Sequence, residues 1–262
     1  MQRALRLAAV ATTLFVAACA HDTTPTAGLD ADLANLSIDP SVGATSGQAS
    51  LPGLAMAPDP TYQGALSGTE QCSYSPTTKR VECAPVTRDG LTITRSIAFY
   101  DATGAAQTHR DSLTRSTNTQ VAVKGSTTTA RGVMAVDRTS SVTLSGLGRN
   151  ATTHTLNGEE KGTTSGTVKT DNGSSATITE SFLTTSVNVV VPAPFTATSW
   201  PSSGTTTRTS TSTITRGTDT RTIAASEQAT YNGTSKVPVV VTRAGTTRTC
   251  IRDLSLHTMT CP

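Results

Sequence analysis

The sequence predicts an all-β protein, a single antiparallel meander forming a curved sheet or open barrel with a disulfide hairpin at each end. Three observations predict it. Threonine is about one residue in five, while aromatics are 3% and charged residues 15%. Large side chains for a thick core are therefore scarce, and a β-branched, half-wetted pleated surface is favoured over a helical bundle. Segments of strict alternation recur along the chain, the period-2 signature of strands with one face in water. Between them stand Asp-Gly and Asn-Gly dipeptides, which accept the positive φ of tight hairpin turns.

The first nineteen residues are of a different kind. Arg3 and Arg6 precede an uncharged run of twelve residues, Leu7 to Ala18, that ends in small side chains. This is the layout of a secretory signal peptide, and the run is shorter than the ~20 apolar residues a spanning helix needs. Val16-Ala17-Ala18-Cys19 resembles the lipobox of bacterial lipoproteins. The resemblance covers only this stretch. It implies a diacylglyceryl group on the Cys19 thiol, cleavage just before Cys19, and acylation of the new amino terminus. Each buried CH₂ contributes ~0.8 kcal/mol, so two or three chains make such an attachment nearly permanent. Ala20 stands where an Asp would, in the enterobacterial pattern, favour inner-membrane retention, so the expected location is the outer membrane of a bacterial envelope.

The expected organisation is a leader over 1–18, an Ala/Asp/Thr/Pro-rich tether over 19–68 and an antiparallel β domain over 69–262. Leu29, Leu33 and Leu36 within the tether have helical spacing, enough for one or two turns. Removing the leader takes Arg3 and Arg6 from the 21 basic residues, leaving 19 against 18 acidic, or +1. A balance so close to neutral gives no nucleic acid partner. The expected membrane contact is the Cys19 anchor.

Cys72, Cys83, Cys250 and Cys261 remain, an even number that suits an exported protein. Four cysteines allow three connectivities, which spacing alone does not resolve. Local pairing, 72 with 83 and 250 with 261, is the expectation because each segment can fold as a hairpin. Pro76 to Thr78 supply the first turn, and Asp253 to His257 sit midway in the second. Zinc ligation does not fit this spacing.

Along the domain, Asp89-Gly90 precedes Leu91 to Tyr100, with Leu91, Ile93, Arg95, Ile97 and Phe99 on one face. Tyr100 to Gly104 reads as a type I turn, with Asp first and Gly last. Further strands are expected around Thr117 to Val123, Val133 to Leu144 and Thr152 to Leu156, and hairpin turns at Asn157-Gly158, Asn172-Gly173 and Asn232-Gly233. Phe182 to Trp200 is the most apolar part and is expected to be a strand covered on both sides at the centre of the core, turned by Pro192, Pro194 and Pro201. From Thr205 to Arg216 every second residue is Thr. A turn at Gly217-Thr218 would set Thr215 against Thr220, Thr213 against Thr222 and Arg208 against Glu227. Val239 to Val241, then Ala244-Gly245, complete the meander.

No catalytic residue, metal ligand set or cofactor motif is assigned. His21, His109, His154 and His257 are scattered, without the H-E-x-x-H spacing of a zinc enzyme. His154 with Glu159 and Glu160 across a turn would be a proton relay, but a solvated hairpin explains them. Asp171-Asn172-Gly173 lacks the later ligands of a calcium loop. A transmembrane barrel is set aside, since the alternating positions offer Thr, Ser and Arg in place of a lipid-facing stripe and aromatic girdles. The expected function is a lipid-anchored, non-enzymatic envelope module of structural or interaction type with an unidentified partner. Alternatives are a carrier of lipid or another apolar ligand in a half-barrel, and surface binding of glycan or ice through the threonine ladder.

Overall fold

A computed structural model describes residues 71–129, 132–169, 174–196, 198–256 and 258–262. The leader, Cys19, the tether with its leucines, Asp171-Asn172-Gly173 and the histidines 21 and 257 lie outside the described residues. The strands are β1 Cys72–Ser75, β2 Arg80–Arg88, β3 Leu91–Tyr100, β4 Ala106–Gln107, β5 Ser116–Thr129, β6 Gly132–Ser145 and β7 Thr153–Lys169. They continue with β8 Ser175–Pro192, β9 Ser203–Arg216, β10 Asp219–Thr230, β11 Lys236–Arg243, β12 Thr246–Asp253 and β13 Thr258–Thr260. All belong to one 13-stranded antiparallel sheet in sequence order, with the short β4 pairing off β3. The path runs from β1 to β13 without closing, so the fold is the expected open meander.

Turn chemistry gives the sheet two unlike ends. At one end the connections are tight: Asp89 and Gly90 (φ 51° and 78°), Gly217-Thr218, and Ala244 and Gly245 (φ 48° and 82°). Positive φ at both central residues, or at the first alone as at Gly217 (φ 58°), matches the right-handed twist of the flanking strands. At the other end the connections are longer, spanning 101–115, 146–152, 193–202 and 231–235. There Asp101 O accepts from the Gly104 N–H at 3.2 Å, the turn expected after Tyr100. Asn232-Gly233 also turns the chain, but within a five-residue connection whose Asn232 side chain accepts from the Thr234 N–H at 3.1 Å.

Alternate positions of the long strands turn toward one face, most clearly along β8, where Ala176, Ile178, Glu180, Phe182, Thr184 and Ser186 are buried in succession. A single sheet buries one face by curling over it. Val142, Leu144 and Leu156 from β6 and β7 accordingly share a cluster with Val189 and Val191 of β8 and with Val237 and Val239 of β11. Loop residues Leu147, Tyr231 and Leu254 join it, with Trp200 packed against them, so the core fills the long-loop end of the concave face. A smaller cluster of Leu91, Val121, Val123 and Val136 lies toward the tight-turn end.

Three expectations are corrected. Asn157-Gly158 is no turn: both residues lie inside β7, where the register slips between Leu156 and Gly158. The Asn side chain instead supports a bulge, accepting the Asn188 N–H at 2.7 Å. Phe182 to Trp200 is not covered on both sides. Val189 and Val191 are core, but Val187 and Phe195 are exposed, because β8 has only one inner face. The strands are also longer than expected, 14 to 18 residues from β5 to β9, because Thr, Ser and Gly extend the pleat where apolar alternation fades.

Candidate functional site

The concave face carries a belt of charged side chains between the core at the long-loop end and the smaller cluster of Leu91, Val121, Val123 and Val136. Glu180 Oε1 accepts from Arg208 Nη2 at 3.0 Å, with side chains only 11% and 20% exposed. Arg208 also lies over the Phe182 ring at 4.2 Å from its centroid. Glu227 Oε2 accepts from Arg252 Nη2 at 2.6 Å, and Arg138 Nη1 approaches Glu160 Oε1 at 3.7 Å. The expected register of Arg208 opposite Glu227 is present, yet each pairs ionically with a different neighbour. The belt exists because these side chains fall at inward positions, where a carboxylate without a cation would be costly to desolvate.

Glycines let the belt form. Gly158, Gly162 and Gly166 occupy inward positions of β7 opposite Val142, Arg138 and Met134 of β6. A Cβ on Gly162 would sit 2.6 Å from the Asp137 carbonyl oxygen and 2.9 Å from Arg138 Cγ. The β6 side chains thus lean into space that any other residue would fill.

The outer face is polar and largely uncharged between β7 and β10. Thr167, Thr177, Thr215 and Thr220 stand in one row across the four strands. Ser165, Thr179, Thr213 and Thr222 form the next, and Thr163, Ser181, Thr211 and Ala224 the third. Hydroxyls bond across the expected pairs, Thr213 with Thr222 at 2.9 Å and Thr215 with Thr220 at 3.0 Å. On the β9–β10 hairpin this ladder is legible in the sequence. Its extension over β7 and β8 depends on long-range register, for which the sequence offers no local signal.

Cys72–Cys83 and Cys250–Cys261 are disulfide-bonded; the first joins facing positions of β1 and β2 at one edge of the sheet, and the second joins β12 to the residue that follows β13 at the other. His154 is buried on β7 with Nδ1 3.3 Å from the Gly146 carbonyl oxygen. Glu159 and Glu160 lie five and six residues further along the same strand, roughly 17–20 Å away at the rise of an extended chain, which removes the relay. The loop carboxylates serve turns. A Thr103 hydroxyl, then the Ala105 and Thr103 N–H groups, hold Asp101 below the ordinary carboxylate range. The Ser255 hydroxyl does the same for Asp253. Among the described residues no three His, Cys, Asp or Glu side chains converge as metal ligands. No family model matches the chain, and no curated protein or solved structure matches it.

Proposed function

We propose that the protein is a lipid-anchored component of the bacterial envelope whose β domain is a non-catalytic structural or interaction module. Its anchor would be Cys19 within Val16-Ala17-Ala18-Cys19. The observation that carries the module reading is how the sheet uses its two faces. Core side chains and matched ion pairs occupy most of the concave side, leaving the broad outer face of β7 to β10 for contact. A carrier of apolar ligands would need a continuous apolar lining, and the belt through Glu180, Arg208 and Glu227 interrupts it. Labelling with a fatty-acid probe followed by fractionation tests the reading. Wild-type protein should be labelled and sediment with the outer membrane, and Cys19→Ser should be unlabelled and released. Unlabelled wild type in the cytosol with reduced cysteines overturns it.

A second reading is supported by the hydroxyl block itself: binding of glycan or ice. Three rows on four adjacent strands repeat at about 4.8 Å across and about 6.6 Å along the sheet, without an ionisable group. Inhibition of ice recrystallisation or retention on neutral glycans should be lost in Thr179→Lys/Thr213→Lys. Wild-type protein inert in both assays removes this reading.

A further inference from the structure

The two ends of the sheet differ in more than turn length. Among the described residues, the large hydrophobic side chains exposed outside the strands are Leu113, Phe195 and Leu256. Leu256 and Leu113 are the most exposed of all, at 68% and 62%, with Phe195 at 47%. They stand on three separate connections, β4 to β5, β8 to β9 and β12 to β13. Neighbouring strands run antiparallel, so all three connections open at the long-loop end. Behind them Leu147, Tyr231 and Leu254 belong to the core of that end, with Trp200 packed against it. The described tips of the opposite end, Asp89-Gly90, Gly217-Thr218 and Ala244-Gly245, carry no large apolar side chain. Singly exposed apolar residues are ordinary on a protein surface, but their confinement to the connections of one end gives that end an apolar rim.

The backbone at two of these tips already has its hydrogen-bond partners. Asp111 Oδ1 accepts the Leu113 and Thr114 N–H groups at 2.7 and 3.1 Å, and Asp253 Oδ1 accepts those of Ser255 and Leu256 at 2.9 and 3.3 Å. Arg115 Nη1 donates to the Ser112 and Thr114 carbonyls at 2.9 and 3.1 Å, on either side of Leu113. An unsatisfied peptide group is costly in a lipid phase, and these leucine-bearing turns carry their partners with them. Charge agrees with the same occupant. The carboxylates of Asp101, Asp111 and Asp253 bend back onto N–H groups of their own loops. Lys79 on the β1–β2 turn and Arg149 between β6 and β7 are exposed at this end, and cations beside apolar tips match anionic headgroups over acyl chains. A protein partner needs a contiguous apolar centre with a polar rim, whereas these tips stand apart on separate connections.

We infer that the long-loop end of the domain docks on a phospholipid surface bearing anionic headgroups, with Leu113, Phe195 and Leu256 entering the acyl boundary and Lys79 and Arg149 at headgroup level. This rests on the reading of the chain as an envelope protein held at Cys19, and adds which end of the sheet faces the bilayer. The test places the full chain on vesicles of phosphatidylcholine and phosphatidylglycerol whose acyl chains are brominated near the headgroup, with one added tryptophan as reporter above the Trp200 background. Leu256→Trp should be quenched, and Thr218→Trp at the opposite end should not. With the Leu256→Trp reporter, Leu113→Ser/Phe195→Ser should lose about half of the quenching or more. Lys79→Gln/Arg149→Gln should weaken it only where phosphatidylglycerol is present. Sedimentation with the vesicles reads the anchor separately. A chain that sediments while both reporters are quenched to the same extent, or not at all, overturns the docking and leaves the anchor standing. Selective quenching in a Cys19→Ser chain whose wild type takes no fatty-acid label supports the docking and removes the anchor. A chain that neither sediments nor is quenched overturns both. Self-association in neutral detergent that Leu113→Ser/Phe195→Ser abolishes also overturns the inference, since the rim would then join two copies. Circular dichroism shows whether each variant keeps the sheet.

Discussion

The Asn157 side chain accepts the backbone N–H of Asn188 at 2.7 Å, across the bulge where β7 and β8 change register. Asn188 itself sits at φ 50°, a conformation that a non-glycine residue holds only when its surroundings enforce it. Asn157→Ala leaves that N–H without its partner and should cost about 1–2 kcal/mol in denaturant unfolding. Asn157→Asp keeps an acceptor and should cost less. Equal stability of Asn157→Ala and wild type would show that the bulge needs no such support.

Gly162 is expected to be intolerant. The 2.6 Å approach of a Cβ to the Asp137 carbonyl oxygen is to backbone that cannot swing aside, so Gly162→Ala should lose roughly 1–3 kcal/mol. Gly148→Ala, with nothing within 4 Å, should leave the thermal midpoint unchanged. Matching midpoints for the two variants would refute the close packing.

The Glu180–Arg208 pair, mostly shielded from water, should show strong non-additivity. Glu180→Leu alone strands a cation on the concave face and should cost about 2–4 kcal/mol, below the full range for a completely buried pair because some solvent still reaches it. Glu180→Leu/Arg208→Met removes both charges and should recover most of that loss. A double-mutant cycle by urea unfolding checks it, and purely additive costs would mean that the pair contributes no coupling.

Each disulfide pins a short edge strand, β1 of four residues or β13 of three. Cys72→Ser/Cys83→Ser and Cys250→Ser/Cys261→Ser should each lower stability by about 2–3 kcal/mol, from loops closed over a separation of 11. Additive losses in the fourfold variant would agree with two independent clamps at opposite edges.

Tyr231 is buried beside Thr206, to whose hydroxyl its own lies at 3.2 Å. Desolvation pushes the phenol above its ordinary value of 10.0, against smaller opposing effects from Thr206 and Arg252. The folded state then holds this proton more tightly than the unfolded chain. The associated stability is intact below pH 10 and is lost as pH rises from there through the folded-state value. Ultraviolet titration should show the Tyr231 phenol ionising above its ordinary value, and Tyr231→Phe should lose less stability above pH 10 than wild type. A wild-type curve identical to that of Tyr231→Phe would contradict this.

Much of the fold was legible because its rules are local. Asp89-Gly90 and Gly217-Thr218 turn the chain where expected, and the pairing of Thr215 with Thr220 follows from counting outward from the turn. Asn157-Gly158 misled because the residues that suit a hairpin tip also suit a bulge, and only the partner strand separates the two. The belt was hidden for a related reason. In an alternating segment Glu180 or Arg208 reads as a solvent-facing position, and its burial follows from the curl of the whole sheet.

The two margins of this sheet never meet. A sealed cylinder ties its strand number to its diameter and stagger, whereas this ribbon has no circumference to preserve. Hairpins could be gained or shed during evolution so long as the stapled rims stay in place, so width is the quantity most free to drift among its descendants.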